Sequence, residues 1–213
     1  MTDEEETDVD DIVEEALSKQ RSVKDILVEM KDTSELMVDL AYSSLLTNSE
    51  DIAEEVEELE ERMDNLQYEI ETMLFLAART PEDAADLSGI LHVARASEDI
   101  ANAADDIVDV VQRGVGDHPI YHSFLGETEE KVVRVAICPG SDFIGKKIGE
   151  FRVLTKTGCY IRAIRRKKDW IYNPNKNTEL NVDDILIVIG SESALKELRG
   201  LTGEEGVCEK EED

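Results

Sequence analysis

The spacing of apolar residues divides the chain into two parts. From about residue 22 to residue 113 the apolar positions recur at intervals of three and four, which is the spacing of one face of an α-helix. From residue 132 they alternate with polar residues or form short runs bounded by turn residues, a pattern typical of β-strands. The chain is therefore predicted to have a helical N-terminal part and a small C-terminal part that mixes strands and helices.

Three long helices are predicted in the N-terminal part. Ser22 and Ser49 are placed to cap the first two, and Thr80-Pro81 is placed to start the third, because Thr caps well and Pro suits the first helical position. The second helix carries a sustained heptad pattern of apolar residues: Ile52, Val56, Leu59, Met63, Leu66, Ile70, Met73 and Ala77. The third helix ends near Arg113, where glycines follow. Such helices pack as an up-down-up bundle.

The C-terminal part predicts the order β-α-β-β-β-α. The elements are strands over 132–138, 160–165, 170–172 and 185–189, a helix over 144–151, and a last helix capped by Ser191. The aliphatic run Ile185 to Ile189 is too short for a buried helix and is typical of a central strand. The predicted fold class is α + α/β with two domains, an antiparallel three-helix bundle and a small mixed domain.

These elements define five segments. An acidic N-terminal arm covers 1–21, the bundle 22–113, a linker 114–130, the mixed domain 131–203, and an acidic tail 204–213. No stretch approaches the ~18 apolar residues of a membrane span, and the N-terminus is acidic and unlike a signal peptide. We therefore expect a cytoplasmic protein without direct membrane insertion.

The formal charge of −28 is unevenly distributed. Residues 1–113 hold 8 Lys and Arg against 33 Asp and Glu, whereas residues 132–200 hold 13 against 8. The acidic half would repel nucleic acid, because nucleic-acid binding depends on neutralising phosphates with Lys and Arg. Cations or a basic partner are favoured instead. The simpler alternative is that the acidity serves only solubility.

Several short motifs follow one another in the C-terminal part. They are the Gly140-Ser141 turn before Ile144-Gly145-Lys146, the strand residues Ala163-Ile164-Arg165, Pro174, and Leu180-Asn181-Val182-Asp183-Asp184 before Ile185 to Gly190. This pattern resembles the TrkA-C domain, also called the C-terminal RCK domain, over about a third of the chain. The resemblance implies a dimerising, ligand-sensing domain of regulatory subunits of potassium channels and transporters, and no enzyme activity.

One position departs from that family. The family usually has glycine before the aspartate at 184, where this chain has Asp183. Because Asp tolerates left-handed backbone better than most residues, we expect the turn to be kept.

The helical part is similar to one three-helix repeat of the PhoU family. The similarity lies in residues 36–41, 58–66 and 95–104. PhoU proteins typically contain two such repeats, so the resemblance implies that two chains make a whole. It also implies a metal-binding acidic i, i+4 pair on the third helix, at positions that Glu98 and Asn102 occupy here.

One of the two positions matched to the metal-binding pair is not acidic. An amide supplies no negative charge, so Asn102 speaks against the site. Nearby aspartates can substitute, and the candidate metal ligands are Glu98, Asp99, Asn102 and Asp106. The alternative is a solvated acidic helix face.

A basic run in the C-terminal domain suggests an anion site. It comprises Arg162, Arg165, Arg166, Lys167 and Lys168. Strict strand alternation puts Arg162 opposite to Arg165, and Arg165 opposite to Arg166, so only a subset can converge. Our hypothesis is an anionic ligand such as a nucleotide at a dimer interface, bound by Arg165 or Arg166 with Ile164 and Tyr172 as apolar walls. The alternative is that these charges are exposed or pair with the acidic bundle.

Together these features predict a cytoplasmic regulatory or ligand-sensing protein for cation transport, most simply potassium. Its partners would be a second copy of itself and a membrane cation channel or transporter, and the heptad positions and the sheet would hold the dimer. A second hypothesis is a metal-binding bundle in which the C-terminal domain only dimerises. A third hypothesis is an assembly scaffold without a ligand. No cofactor is assigned beyond a candidate nucleotide or divalent cation.

Overall fold

The N-terminal half is a bundle of three long helices. The structure, a computed structural model, describes residues 21–125 and 130–203, so the predicted tail and all but Arg21 of the predicted arm lie outside the described residues. The helices are α1 (Val23–Thr47), α2 (Glu50–Ala77) and α3 (Pro81–Gln112).

Each helix begins where the sequence predicts it. The Ser22 hydroxyl accepts the N–H of Asp25, and the Asp25 carboxylate accepts the N–H of Ser22, so both groups cap α1. Thr80 and Asp83 repeat this arrangement at α3, and the side chain of Ser49 caps α2. These bonds satisfy N–H groups that have no partner inside the helix.

The core of the bundle is built from the predicted apolar positions. The heptad residues of α2 are buried from Ile52 to Ile70, and Leu74 takes the place of Met73 as the last fully buried position. The buried positions of α3 are small, namely Ala94, Ala101, Ala104, Val108 and Val111. Small side chains allow α3 to approach α1 and α2 closely.

The predicted linker contains a short helix, α4 (Pro119–Leu125). The sequence predicted only a linker here. Pro119 occupies the first helical position, where its missing N–H costs no hydrogen bond. The side chain of His118 accepts the N–H of Ile120 through Nδ1 at 3.2 Å, in the manner of a cap.

The C-terminal domain contains six strands and three short helices. They are β1 (Lys131–Ala136), β2 (Lys146–Lys147), α5 (Ile148–Phe151), α6 (Val153–Thr157), β3 (Tyr160–Arg166), β4 (Asp169–Tyr172), β5 (Glu179–Leu180), β6 (Ile185–Gly190) and α7 (Glu192–Thr202). The strands β1, β6, β3 and β4 form an antiparallel sheet in that order, and β2 pairs with β5. The aliphatic strand β6 is central, as predicted.

The helix predicted over 144–151 is shorter than expected. Gly145 has a left-handed φ of 73°, which ends any helix that includes it. Lys146 and Lys147 then pair with β5 as a strand, and the helix begins at Ile148. A second short helix, α6, was not predicted.

The turn before β6 is kept despite the missing glycine. Asp183 has a φ of 65°, the left-handed conformation that we expected. Its N–H donates to the carbonyl of Ile137 at 3.0 Å. The turn therefore ties the start of β6 to the end of β1.

The sheet lies between two apolar layers. One face packs on the short helices and α7 through residues such as Ile161, Ile164 and Leu186. The other face packs on the helical bundle through Ala163 and Ile187, which belong to the core of the bundle. No helix within the described residues is long and apolar enough to span a membrane.

Candidate functional site at the domain interface

The face of the sheet that meets the bundle carries both apolar and basic side chains. Its apolar members are Val132, Ala163, Trp170, Tyr172, Ile185 and Ile187, and its basic members are Arg134, Arg162 and Arg165. The residues of α1 and α2 that bind these arginines are acidic. We call this contact the domain interface.

Arg165 binds two carboxylates of α2. Its Nη2 donates to Oε1 of Glu55 at 2.8 Å, and its Nη1 donates to both oxygens of Glu58 at 2.9 Å. Arg134 donates through Nε to the same Oε1 of Glu55 at 2.9 Å. Glu55 therefore joins two strands of the sheet to one helix of the bundle.

Arg162 also reaches the bundle, which corrects a prediction. Strict alternation placed Arg162 opposite to Arg165, but the pairing of β3 with β6 shifts register between Ile161 and Ala163. An irregularity of this kind changes the side on which the neighbouring side chain emerges. Arg162 pairs with Glu35 at 3.2 Å and with Asp39 at 3.5 Å, both on α1.

Burial sets the electrostatics of the interface. Glu55 is 2% exposed, and removal from water raises the pKa of its carboxyl group, against the opposing effect of Arg165 and Arg134. Burial likewise raises the pKa of Asp39, with Arg162 opposing it. These ion pairs stabilise the folded state, because a buried carboxylate without a nearby cation would destabilise it.

Tyr172 is held in the same interface. The hydroxyl of Thr33 on α1 donates to the Tyr172 hydroxyl at 2.9 Å, and the rings of Trp170 and Tyr172 are stacked with centroids 6.2 Å apart. Burial raises the pKa of Tyr172 to about 12. Tyr172 is therefore a neutral hydrogen-bonding group at neutral pH.

The other two predicted ligand residues lie on the opposite side of the sheet. Ile164 is fully buried in the core beneath the short helices. Arg166 forms a bidentate pair with Asp184, at 2.7 and 2.8 Å, and also donates to the carbonyl of Glu179. The structure therefore does not bring the four predicted ligand residues to one point, and their role as ligand contacts stays a prediction.

A cleft opens at one edge of the domain interface. It has a volume of about 520 Å³ and is lined by Glu58, Glu61, Arg62, Asn65, Arg165, Lys167, Lys168 and Trp170. Four lining side chains are cationic and two are anionic. We call it the basic cleft. A second cleft, which Tyr172 lines, shares Arg62, Lys168 and Trp170 with it.

The candidate metal ligands lie on the surface of α3. The amide of Asn102 donates to Oε1 of Glu98 at 2.6 Å, and Asp99 and Asp106 are exposed. Within residues 21–125 and 130–203, no three Asp, Glu, His or Cys side chains are grouped to hold a metal ion. The metal role of these residues stays a prediction.

Carboxylates nevertheless crowd the groove between α2 and α3. Burial and the nearby charges of Asp64 and Asp105 raise the pKa of Glu60. Burial and the charge of Glu57 raise the pKa of Asp105. Like charges at close range disfavour the ionised form, so the carboxylates of this groove destabilise one another's charge.

Comparison with protein families accounts for both halves of the chain. Residues 27–111 match the PhoU domain and residues 132–203 match the TrkA-C domain. The chain contains a PhoU domain followed by a TrkA-C domain. Both resemblances found in the sequence are thus confirmed. Both families are regulatory domains and not enzyme families.

Several solved structures resemble parts of the chain. The RCK_C domain dimer of S. agalactiae BusR in complex with c-di-AMP is 23% identical, with 34% of this chain and 96% of that chain covered and a TM-score of 0.33. The RCK C domain of the potassium transport protein KtrA, in complex with c-di-AMP, is 30% identical, with 34% and 82% covered and a TM-score of 0.31. The GsuK RCK domain is 23% identical, with 53% and 25% covered and a TM-score of 0.31. No curated protein sequence matches the chain.

The sequence did not reveal most of the residues that line the basic cleft. Trp170 could have been predicted as a lining residue, because residues two apart in a strand lie on the same face and Tyr172 was already a candidate. Lys167 and Lys168 were noticed only as part of the basic run. Arg62 and Glu58 could not have been predicted as lining residues, since charged residues on the outside of a helix bundle are common.

Proposed function

We propose that this protein regulates cation transport, with the TrkA-C domain sensing a small anionic ligand and the PhoU domain transmitting the response. The match of residues 132–203 to the TrkA-C domain supports the regulatory role. The basic cleft supports an anionic ligand, because cationic side chains outnumber carboxylates there.

One observation carries the proposal: Arg165 has two roles. It lines the basic cleft, and it also binds Glu55 and Glu58 of the PhoU domain. An anion that enters the cleft competes with these carboxylates for the Arg165 guanidinium group. Ligand binding would therefore weaken contacts that hold the two domains together.

The response follows from a shift in population. A ligand that binds better when Arg165 turns toward the cleft favours a more open domain interface. The size of this shift is set by the difference between the ligand's binding free energies for the two arrangements. The PhoU domain then changes its position relative to the TrkA-C sheet. We propose that a membrane channel or transporter for cations, with potassium the first candidate, receives this change, and that the protein acts as a homodimer.

Isothermal titration calorimetry with adenine and guanine nucleotides, including dinucleotides, tests the ligand. The cleft variant replaces Lys167 and Lys168 with Ala, and the matched control replaces Lys156 and Lys196, which carry the same charge elsewhere on the domain. We expect a nucleotide to bind the unmodified protein and the control, and to bind the cleft variant at least tenfold more weakly. Absence of heat for every nucleotide, or equal affinity in all three proteins, contradicts the proposal.

Tryptophan fluorescence tests the transmission step. Trp170 is the single tryptophan, and it lies in both the domain interface and the lining of the basic cleft. We expect ligand binding to change its emission, because the ring would lose contact with the bundle. If a nucleotide releases heat on binding but leaves the emission unchanged, the ligand-binding part of the proposal stands and the transmission through this interface is contradicted.

A second candidate function is binding of a divalent cation by the PhoU domain. The crowding of carboxylates between α2 and α3 favours it. Neighbouring charges there contribute to raising the pKa of Glu60 and Asp105, and a cation would relieve this repulsion. In this case the TrkA-C domain would only dimerise. Stabilisation by Mn²⁺ in a thermal unfolding experiment, without stabilisation by any nucleotide, would favour this candidate.

A further inference from the structure

The end of α7 is fastened to the turn that follows β1. The backbone N–H of Cys138 donates to the carbonyl of Thr202 at 3.1 Å, and the hydroxyl of Ser141 donates to the carbonyl of Leu201 at 3.0 Å. Gly203 ends α7 with a left-handed φ of 83°. A Cβ atom added to Gly203 would lie 3.5 Å from Cβ of Cys138. The described part of α7 therefore ends in contact with Cys138.

Cys138 and Cys159 differ in their bonding. Cys138 is 3% exposed and is disulfide-bonded, whereas Cys159 is a free thiol that is fully buried. Burial raises the pKa of the Cys159 thiol, which lowers its thiolate fraction and slows its reaction with disulfides. The chain has three cysteines, and the third is Cys208, which lies outside the described residues. Cys208 is therefore the cysteine that the sequence leaves as a partner for Cys138 within one chain.

The length of the chain between these cysteines permits the pairing. Cys208 follows Gly203 by five residues, and five extended residues span at most about 17 Å. The two Cβ atoms of a disulfide lie about 3.5–4.5 Å apart. Because Gly203 already lies against Cys138, a short loop over 204–207 is enough to bring the two sulfurs together.

We propose that Cys138 and Cys208 form a reversible disulfide, which fastens the acidic tail over 204–213 beside α7 when the protein is oxidised. The inference does not depend on the ligand proposed above. It makes this pair of cysteines a redox modification site of the TrkA-C domain.

The reaction is thiol–disulfide exchange with a small disulfide such as glutathione disulfide. The Cys208 thiolate attacks first, because Cys138 is buried, and one glutathione leaves. The Cys138 thiolate then attacks the Cys208 sulfur of the mixed disulfide, and the second glutathione leaves. The two cysteines lose two electrons and two protons, which the two glutathione thiols take up.

A cationic groove lies next to the point of attachment. It has a volume of about 750 Å³, and its lining includes Lys131 of β1 with Lys196 and Arg199 of α7. Glu192 is the acidic member of the lining among the described residues. The tail over 204–213 holds six Asp and Glu against one Lys. Opposite charges therefore favour this groove as the site where the tail docks.

The residues that follow Cys208 are long enough to reach the groove. Residues 209–213 span at most about 17 Å. Arg199 and Lys196 precede Thr202 by about 4.5 Å and about 9 Å along the axis of α7. Thr47 of the PhoU domain also lines the groove. In the oxidised protein the tail therefore covers the groove where the two domains adjoin, and reduction releases it.

Peptide mapping of the full chain, equilibrated with mixtures of glutathione and glutathione disulfide, tests the disulfide. Trypsin cuts after Lys and Arg, so the expected linked product joins 135–146 to 200–210. The Cys159→Ser variant should give the same product, and the Cys208→Ser variant should give none. Thiols at both positions in every mixture, or a disulfide of Cys138 with Cys159 or with another chain, overturns the proposal.

The equilibrium constant for oxidation by glutathione disulfide tests the docking of the tail. We expect it to fall about threefold in the Lys196→Glu variant, because the groove would no longer attract the tail and hold Cys208 near Cys138. High salt should reduce the constant of the unmodified protein in the same direction. The control is Lys176→Glu, which makes the same charge change at an exposed loop position and should match the unmodified protein. Equal constants for all three proteins overturn the docking of the tail in this groove.

Discussion

Glu55 of the PhoU domain and Arg165 of the TrkA-C domain face each other in a contact from which water is largely excluded. Nη2 of Arg165 donates to Oε1 of Glu55 at 2.8 Å, and the Glu55 side chain is 2% exposed. Arg134 binds the same carboxylate. One acidic residue of the bundle thus fixes two basic residues of the sheet, and this contact joins the two domains.

Glu55→Gln is expected to destabilise the protein by about 2–4 kcal/mol, because the partly buried guanidinium group of Arg134 loses its carboxylate partner and Arg165 keeps only Glu58. The matched control is Glu58→Gln, whose side chain is 50% exposed and whose loss should cost less than about 1 kcal/mol. Urea unfolding followed by Trp170 fluorescence measures both. Equal effects of the two variants would show that Glu55 has no special role.

Arg166→Lys is expected to destabilise the TrkA-C domain by about 2–4 kcal/mol. Asp184 is fully buried and accepts two hydrogen bonds from the Arg166 fork, a bidentate arrangement that a lysine cannot reproduce. The control is Arg152→Lys, for which the described residues show no ion pair. Urea unfolding measures the difference, and a loss below about 0.5 kcal/mol for Arg166→Lys would contradict the structural role.

The fold was predictable where local chemistry determines it. Ser22 and Thr80 mark helix starts because their side chains satisfy the free N–H groups of the first turn, and Ile185 to Ile189 forms the central strand because both faces of it are buried. The helix predicted over 144–151 failed because the left-handed φ of Gly145 is set by contacts with β5, which are distant in sequence.

The candidate site was less predictable, because pairing across domains leaves no local pattern. The sequence offered two interpretations of the basic run: Arg165 or Arg166 contacts a ligand, or the charges are exposed or pair with the acidic bundle. Arg162 and Arg165 are decisive here. The structure shows the bundle contacts. Strand alternation misplaced Arg162, because a register shift in β3 depends on the partner strand. The cleft beside Arg165 arises only when the domains meet.

Asp105→Asn is expected to stabilise the PhoU domain at neutral pH. Burial and nearby carboxylates raise the pKa of Asp105 in the folded state, so the folded protein binds this proton more readily than the unfolded chain. Stability contributed by the protonated group is therefore lost as pH rises from the ordinary value of 3.8 through the raised folded value. The Asp105→Asn variant should therefore be more stable than the unmodified protein above this pH range, and the difference should disappear below it.

Thermal unfolding between pH 3.5 and pH 8, a range chosen to bracket the ordinary carboxyl pKa values, measures this pH dependence. Asp142→Asn, an exposed aspartate of the other domain, serves as the control for the change of net charge. A stabilisation that is the same at every pH, or the same in the control, would attribute the effect to net charge and not to the groove between α2 and α3.

Asn102→Asp is expected to create metal-dependent stability in α3. The Asn102 amide now donates to Glu98. Aspartate would instead place two carboxylates at i and i+4, a pair that repels by about 0.2–0.5 kcal/mol without metal and offers the oxygen ligands that divalent cations prefer. Thermal unfolding with Mn²⁺ should therefore show a larger stabilisation for the variant than for the unmodified protein. Asn177→Asp, which adds the same charge in the TrkA-C domain, should show no such gain. If Mn²⁺ stabilises the unmodified protein and Asn102→Asp equally, the cation binds elsewhere on the acidic bundle and Glu98 is not a ligand.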